Sequence, residues 1–129
     1  MLFPKYNFNP FFCEATESYR DASAKLSEMV KWIEQQLKKH IVRHEKEPAF
    51  KIGQKIKQFQ KIYPEEKQLV EGINRIVELR NAFQHGENSL DGDKLFIKYG
   101  KNKIELTVEL FFKIGKDYDM VYGWFVWHQ

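Results

Sequence analysis

The chain has 129 residues, which is enough for one domain and too few for two, so we expect a single domain over residues 1–129. Hydrophobic residues make up 43% and charged residues 30% of the sequence, a balance typical of globular proteins. No apolar run approaches the roughly 18 residues of a membrane span, so no membrane partner is expected. A net charge of +3 is too small to indicate a nucleic-acid-binding protein by itself.

The N-terminal residues and the cysteine count predict a cytoplasmic location. The first six residues lack a basic region followed by an apolar core, so they are not typical of a signal peptide. Cys13 is the only cysteine and cannot form an intrachain disulfide, which favours a reducing compartment. We expect Cys13 to be a packed thiol.

A long first helix is predicted by apolar residues that recur at intervals of three and four. They are Ala22, Leu26, Met29, Val30, Ile33, Leu37 and Ile41. The helix begins either at Asn9-Pro10 or at Ser18, which has Asp21 three residues on, and it ends before Pro48. The apolar residues near the N-terminus, Leu2, Phe3, Tyr6 and Phe8, are expected to lie across the bundle or a partner.

Two further helices are predicted before residue 86. The second runs from about Pro48 to Ile62, with an inner stripe of Phe50, Ile52, Ile56 and Phe59. The third begins near Pro64 with carboxylates in its first turn, and its inner side is Leu69, Val70, Ile73, Ile76, Val77 and Phe83. Gly72 within this helix predicts a close helix crossing, because Gly costs about 1 kcal/mol relative to Ala there.

The last third of the chain has a different residue pattern. Residues 87–93 are polar and are predicted to be a loop, whereas residues 95–99 and 103–106 predict a β-hairpin. Thr107 is the expected cap of a final helix with an apolar stripe of Phe111, Ile114, Tyr118, Val121 and Phe125. Trp124 and Trp127 lie off that stripe and indicate a dimer interface. The predicted fold is mainly α, a bundle of about four helices with a short β-hairpin before the last.

Basic residues concentrate between positions 38 and 61. They are Lys38, Lys39, His40, Arg43, His44, Lys46, Lys51, Lys55, Lys57 and Lys61. If the two helices pack as a hairpin, their outer faces form a basic surface. Either a solvated Lys-rich face or a surface that contacts RNA explains this pattern.

One stretch gathers three polar groups at the end of the third helix. Its sequence is Arg80-Asn81-Ala82-Phe83-Gln84-His85-Gly86. Asn81 and His85 are four residues apart and share a helical face, Arg80 lies on the flank of that face, and Gly86 is a natural helix stop. A permanent cation, an amide and an imidazole can therefore converge on one anionic group. Taken singly, Arg80 could instead pair with Glu78 or a neighbouring carboxylate, Asn81 could be a surface amide, and His85 could be favoured at a helix C-terminus by the macrodipole.

Other site chemistries find no support in the sequence. One cysteine excludes a thiolate zinc site, and His40 and His44 have helical ligand spacing without a third ligand motif, so we interpret them as surface charge. Gly-rich phosphate loops and a nucleophile elbow around a serine are missing. Glu65-Glu66 is explained by helix-start chemistry. Elimination leaves Arg80, Asn81 and His85, and predicts no metal and no cofactor.

The arrangement of Arg80, Asn81 and His85 before Gly86 resembles the motif of the HEPN (higher eukaryotes and prokaryotes nucleotide-binding) superfamily. The resemblance implies a small helical bundle that acts as a metal-independent endoribonuclease of a toxin-antitoxin, phage-defence or CRISPR system. It also implies a homodimer whose composite cleft binds RNA, and an antitoxin or nucleotidyltransferase as a possible partner. In the toxin branch paired with a nucleotidyltransferase, a Tyr follows two residues after the motif His; here that position is Glu87.

The chemistry of RNA cleavage without metal matches these residue types. It needs a base for the 2′-hydroxyl, an acid for the leaving 5′-oxygen and positive charge near phosphorus. His85 can serve as the base or as the acid, and the Arg80 guanidinium can bind phosphate oxygens. Because the reaction needs both an acid and a base and each chain supplies one such histidine, this chemistry favours a dimer. The alternatives are a catalytically inactive HEPN module that binds a nucleotide, RNA or a protein, and a helical adaptor that uses its aromatic C-terminal helix.

Overall fold

A computed structural model of the protein describes residues 19–92 and 94–129, which form four helices and one small sheet. The helices are α1 (Tyr19–Arg43), α2 (Ile52–Ile62), α3 (Lys67–His85) and α4 (Val108–Trp127). The strands β1 (Glu87–Asp91), β2 (Lys94–Tyr99) and β3 (Asn102–Glu105) lie between α3 and α4. This order confirms the predicted mainly α fold. The predictions for Asn9-Pro10, for Cys13 and for the apolar N-terminal residues fall outside the described residues.

The core is built from the predicted apolar stripes of α1, α3 and α4. All seven residues of the α1 stripe are buried, as are Leu69, Val70, Ile73, Ile76, Val77 and Phe83 of α3. Gly72 confirms the predicted close crossing, because a Cβ atom there would lie 2.8 Å from Met120 Cε and 3.6 Å from Val121 Cγ2 of α4. At the same interface between α3 and α4, Arg75 donates two hydrogen bonds of 2.8 and 2.9 Å to the carboxylate of Asp117.

Helix α1 ends before Pro48, as predicted. Its last residue is Arg43, and Glu45 follows in the left-handed region with φ of 61°. The Lys46 N–H donates to Ile41 O at 3.1 Å and the Glu45 N–H donates to Val42 O at 2.9 Å, the bonding pattern of a Schellman motif. Glycine usually occupies the left-handed position of this motif, which is Glu45 here.

Helix α2 is shorter than predicted and runs in the same general direction as α1. It begins at Ile52, and Phe50 is 92% exposed rather than part of the inner stripe. The two helices are parallel, because a later residue of one contacts a later residue of the other: Lys55 contacts Glu34, and Tyr63 contacts His40. The connection after α1 therefore folds back along that helix, so the two helices do not form the antiparallel hairpin considered from the sequence.

The sheet has three antiparallel strands in the order β1-β2-β3. The predicted hairpin of β2 and β3 is confirmed, with Tyr99 paired to Asn102 beside the turn. The prediction of a loop over residues 87–93 was wrong, because β1 pairs with β2 along its whole length, from Glu87 opposite Lys98 to Asp91 opposite Lys94.

Helix α4 begins as the sequence predicts. The Thr107 hydroxyl accepts a hydrogen bond of 3.0 Å from the Leu110 N–H, which is the expected N-cap. The predicted stripe of this helix faces the core, with Tyr118 only partly buried. Across residues 19–92 and 94–129, no helix combines the length and apolarity needed to cross a membrane.

Candidate functional site

Arg80 and Asn81 lie in the C-terminal part of α3, and both side chains are half-buried. Arg80 Nε donates a hydrogen bond of 3.0 Å to Asn81 Oδ1, so the two neighbouring side chains are held together. The alternative of a pair between Arg80 and Glu78 is not observed, and Glu78 instead accepts a hydrogen bond of 3.4 Å from Asn102. Among the described residues, Arg80 forms no ion pair.

His85 is the last residue of α3, and its side chain is exposed. It lies four residues after Asn81, which places it on the same helical face about 6 Å further along the axis. Within the described part of the chain, His85 makes no hydrogen bond to Arg80 or Asn81. One helix end thus presents all three residues, but only the guanidinium and the amide are in contact.

Gly86 fixes this helix end against the sheet. Its N–H donates to Ala82 O at 2.8 Å, and its backbone is extended, with φ of −83° and ψ of 171°. A Cβ atom at this position would lie 2.5 Å from Ile97 Cγ2 and 2.7 Å from Lys98 O, closer than real Cβ atoms approach. Gly86 is therefore the predicted helix stop for a reason other than a left-handed conformation: β2 passes too close for any side chain.

The strand pairing adds a cation that sequence reasoning missed. Lys98 of β2 lies directly opposite Glu87, two residues after His85, and both side chains are exposed. Directly opposed residues of an antiparallel pair project from the same face of the sheet, so Lys98 and Glu87 share one face beside His85. The sequence did not predict this position of Lys98, because the partner strand had been interpreted as a loop.

The second group of basic residues, positions 38–61, is only partly on the surface. Seven of its ten members are exposed lysines and arginine, and we call them the basic segment: Lys38, Lys39, Arg43, Lys46, Lys51, Lys57 and Lys61. The interpretation of His40 as surface charge was wrong, because it is 1% exposed. Lys55 is also buried and donates 2.8 Å to Glu34 Oε2.

His40 lies in an aromatic cluster between α1, α2 and α4. Its Nδ1 shares a hydrogen bond of 2.9 Å with the Tyr63 hydroxyl, and its ring centroid lies 5.3 Å from that of Trp124 and 5.5 Å from that of Phe125. Burial, together with the nearby positive charge of Arg43, lowers the pKa of His40 from 6.5 to about 4. His40 is therefore a neutral core residue near pH 7 and is unsuited to a role in binding phosphate.

The two tryptophans that indicated a dimer interface have different environments. Trp124 is partly buried against the core and contacts Phe59 and Tyr63, so its aromatic surface is largely used within the chain. Trp127 is 86% exposed and Val126 is 42% exposed. A dimer interface at the end of α4 stays a prediction, now carried by Trp127.

The geometry determines which chemistry the site can perform. The Arg80 guanidinium, oriented by Asn81, suits an anion, while the exposed imidazole of His85 can exchange protons with a bound group. Within residues 19–92 and 94–129, no three His, Cys, Asp or Glu side chains gather as a metal site requires. No family model matches the chain, and neither a curated protein nor a solved structure does.

Proposed function

We propose that this protein is a metal-independent endoribonuclease of the HEPN type, a toxin or phage-defence component, with Arg80, Asn81 and His85 as its catalytic residues. The observation that carries the proposal is the end of α3, where a cation without a carboxylate partner among the described residues is bonded to Asn81, and Asn81 lies about one helical turn before the exposed His85. The alternative in which Arg80 pairs with Glu78 loses ground accordingly, because Glu78 accepts a hydrogen bond from Asn102 instead.

In the proposed reaction, the 2′-oxygen of a ribose attacks the adjacent phosphorus and the bond from phosphorus to the 5′-oxygen breaks. One His85 accepts the 2′-hydroxyl proton, and a second His85 donates a proton to the leaving 5′-oxygen. Arg80 stabilises the negative charge of the phosphorane, and the Asn81 amide holds the guanidinium in place. The products are a 2′,3′-cyclic phosphate and a 5′-hydroxyl end.

A second copy of the chain is required by this assignment. The other three histidines are far from a role beside His85: His40 is buried, and His44 and His128 lie at the opposite end of the bundle, beside Tyr63 and Trp124. The acid and the base must then come from two protomers that bring their α3 ends together, an interface distinct from the one that Trp127 predicts at the opposite end of the bundle. The homodimer is part of the proposal, as are the RNA substrate and an antitoxin partner.

The test is cleavage of a fluorescently labelled single-stranded RNA by the purified protein in excess EDTA. The wild-type protein should cleave, and His85→Ala and Arg80→Ala should each lower the rate by at least about 100-fold, the usual contribution of a proton-transfer or charge-stabilising group. His128→Ala is the matched control, because His128 is also an exposed histidine at a helix end, and its rate should not change.

The same assay separates the rival functions. Cleavage that persists in His85→Ala identifies a contaminating nuclease and refutes the assignment. Binding of RNA or of a nucleotide without any cleavage by the wild-type protein would show an inactive HEPN module instead. If the protein neither cleaves nor binds RNA, and Trp127→Ala abolishes capture of a protein partner without changing thermal stability, the adaptor function is correct.

A further inference from the structure

The connection between α1 and α2 presents a phenylalanine to solvent. Phe50 is 92% exposed, the largest exposed fraction among the large hydrophobic side chains of the described residues. It precedes α2 by two positions, and the residue between them is Lys51, which is also exposed. An apolar ring in this position contributes nothing to the core, so its placement calls for another explanation.

The backbone around Phe50 is held in place by two side chains of α2. The amide of Gln58 contacts the connection twice, since its Oε1 accepts from the Ala49 N–H at 2.8 Å and its Nε2 donates to Glu47 O at 2.9 Å. Lys55 Nζ donates to Phe50 O at 2.7 Å. Three hydrogen bonds therefore fix the segment that carries the ring.

Lys55, which donates the hydrogen bond to Phe50 O, is a buried cation. Its side chain is 4% exposed, and it is neutralised by Glu34 of α1 at 2.8 Å. Burying an ammonium is costly unless its hydrogen bonds are satisfied, so both the ion pair and the bond to Phe50 O are needed to keep Lys55 in the interior. The exposed ring is thus presented by a rigid element and loses little conformational freedom when it binds a partner.

The charge along residues 38–62 is mostly positive. These residues contain the seven exposed cations of the basic segment and two acidic residues, Glu45 and Glu47, while Glu34 of α1, 36% exposed, is paired with Lys55. A partner of this surface must therefore be strongly anionic and must also offer flat apolar groups to a single ring. Single-stranded nucleic acid has both properties, because its phosphates follow basic grooves and its bases stack on aromatic side chains.

We propose that Phe50 and the basic segment form a binding site for single-stranded RNA, in which one unpaired base stacks on the Phe50 ring and the exposed lysines contact the flanking phosphates. The site lies on the connection between α1 and α2 and is separate from the end of α3 that carries His85. The inference rests on the proposed function only for the identity of the polynucleotide as RNA.

The experiment measures affinity without cleavage. A fluorescent 2′-O-methyl oligonucleotide of about 16 nucleotides lacks the attacking hydroxyl, and its binding is followed by anisotropy against the wild-type protein and Phe50 variants. Phe50→Ala and Phe50→Leu should weaken binding about 5- to 100-fold, the loss expected for one stacked base, whereas Phe50→Trp should retain it. Binding to a duplex of the same length should be unaffected by these variants, because its bases are not available for stacking.

The charge part of the proposal has its own matched pair of variants. Lys57→Gln should reduce the steepness with which affinity falls as salt rises, by about 0.7 in the logarithmic slope if that lysine neutralises one phosphate. Lys101→Gln removes an equally exposed lysine from the turn between β2 and β3 and should leave that slope unchanged. Thermal melting of each variant should match the wild-type protein, since the substituted side chains are exposed.

Each other outcome overturns the inference. If Phe50→Leu binds as tightly as the wild-type protein, the ring serves as a general apolar contact and a protein partner is favoured. If Phe50→Ala loses nothing, or the wild-type protein does not bind the oligonucleotide, the site does not exist. The result is independent of catalysis, because the Phe50 effect must also appear in His85→Ala. Phe50-dependent binding by a wild-type protein that does not cleave RNA refutes only the nuclease.

Discussion

Lowering the pH should destabilise the protein through His40, which is buried between α1, α2 and α4. Burial and then the positive charges of Arg43, His44 and His128 lower its pKa from 6.5 to about 4. In the unfolded chain the pKa of this histidine returns to about 6.5, so between these two values the unfolded state binds more protons than the folded state. This contribution to stability is therefore fully present above pH 6.5 and is lost as the pH falls toward 4.

The size of the effect follows from the two pKa values. When the pH lies below both pKa values, the protonation of His40 has lowered the free energy of unfolding by about 3.4 kcal/mol. Part of this loss appears earlier, at about 1.4 kcal/mol near pH 5.5 and about 2.6 kcal/mol near pH 4.5. For a domain of this size, such losses are a large fraction of the total stability.

Urea unfolding of the wild-type protein and of His40→Gln, measured at several pH values between about 7.5 and 4.5, tests this reasoning. Glutamine does not titrate, and its amide can still bond to the Tyr63 hydroxyl that His40 now contacts at 2.9 Å. The variant should be less stable near neutrality and should lose less stability on acidification than the wild-type protein. If both proteins lose stability in parallel, His40 is not the residue responsible and the account of its burial is wrong.

Four further substitutions test how the fold is held around the candidate site. Gly86→Ala should cost about 2 kcal/mol and lower RNA cleavage, because its methyl group would lie 2.5 Å from Ile97 Cγ2 and must displace β2 from the end of α3. Arg75→Ala should lower the free energy of unfolding by about 3 kcal/mol, because it leaves the Asp117 carboxylate, which is 10% exposed, without its partner. Asp117→Asn should lower it by only about 1 kcal/mol, because it leaves no buried charge unpaired. Equal losses in the two variants would contradict this reasoning. Thr107→Ala should cost about 1 kcal/mol in thermal or urea unfolding through loss of the helix cap, and an unchanged stability would show that the bond to Leu110 contributes nothing.

The helices were predictable because their signals are local. The apolar intervals of three and four in α1, α3 and α4 determine which side chains face the core, and these residues are buried as expected. Thr107 marks the start of α4 through a short-range hydrogen bond, so the sequence was sufficient to place it. Gly86 was also predicted as a helix stop, but the reason for glycine there is the close approach of β2. Gly72 was informative because a glycine inside a helix is costly without a close neighbour.

The errors concern residues whose environment is set by distant partners. His40 and Lys55 look like surface charges, and only Tyr63 and Glu34, more than twenty positions away, make their burial tolerable. Strand β1 is polar except for the exposed Leu90, and its strand conformation depends on pairing with β2. These contacts are properties of the folded chain and leave no periodic trace in the sequence.

The candidate site was predicted from the sequence only in part. The sequence predicted that Arg80, Asn81 and His85 share one helix end, and the structure places all three there, with a direct bond only between Arg80 and Asn81. Lys98 could not be predicted, because it reaches this end through β-sheet pairing. The catalytic roles of these residues and the pairing of two protomers stay predictions.

The most direct test of the central claim is the cleavage rate of a fixed amount of wild-type protein mixed with increasing amounts of His85→Ala. If the acid and the base come from two copies of His85, random exchange in an equal mixture leaves only about a quarter of the dimers with both histidines. The rate should then fall to about half of that of the wild-type protein alone, and further as more variant is added. A rate that does not change on addition of the variant, or a wild-type protein that does not cleave RNA at all, would contradict the composite site.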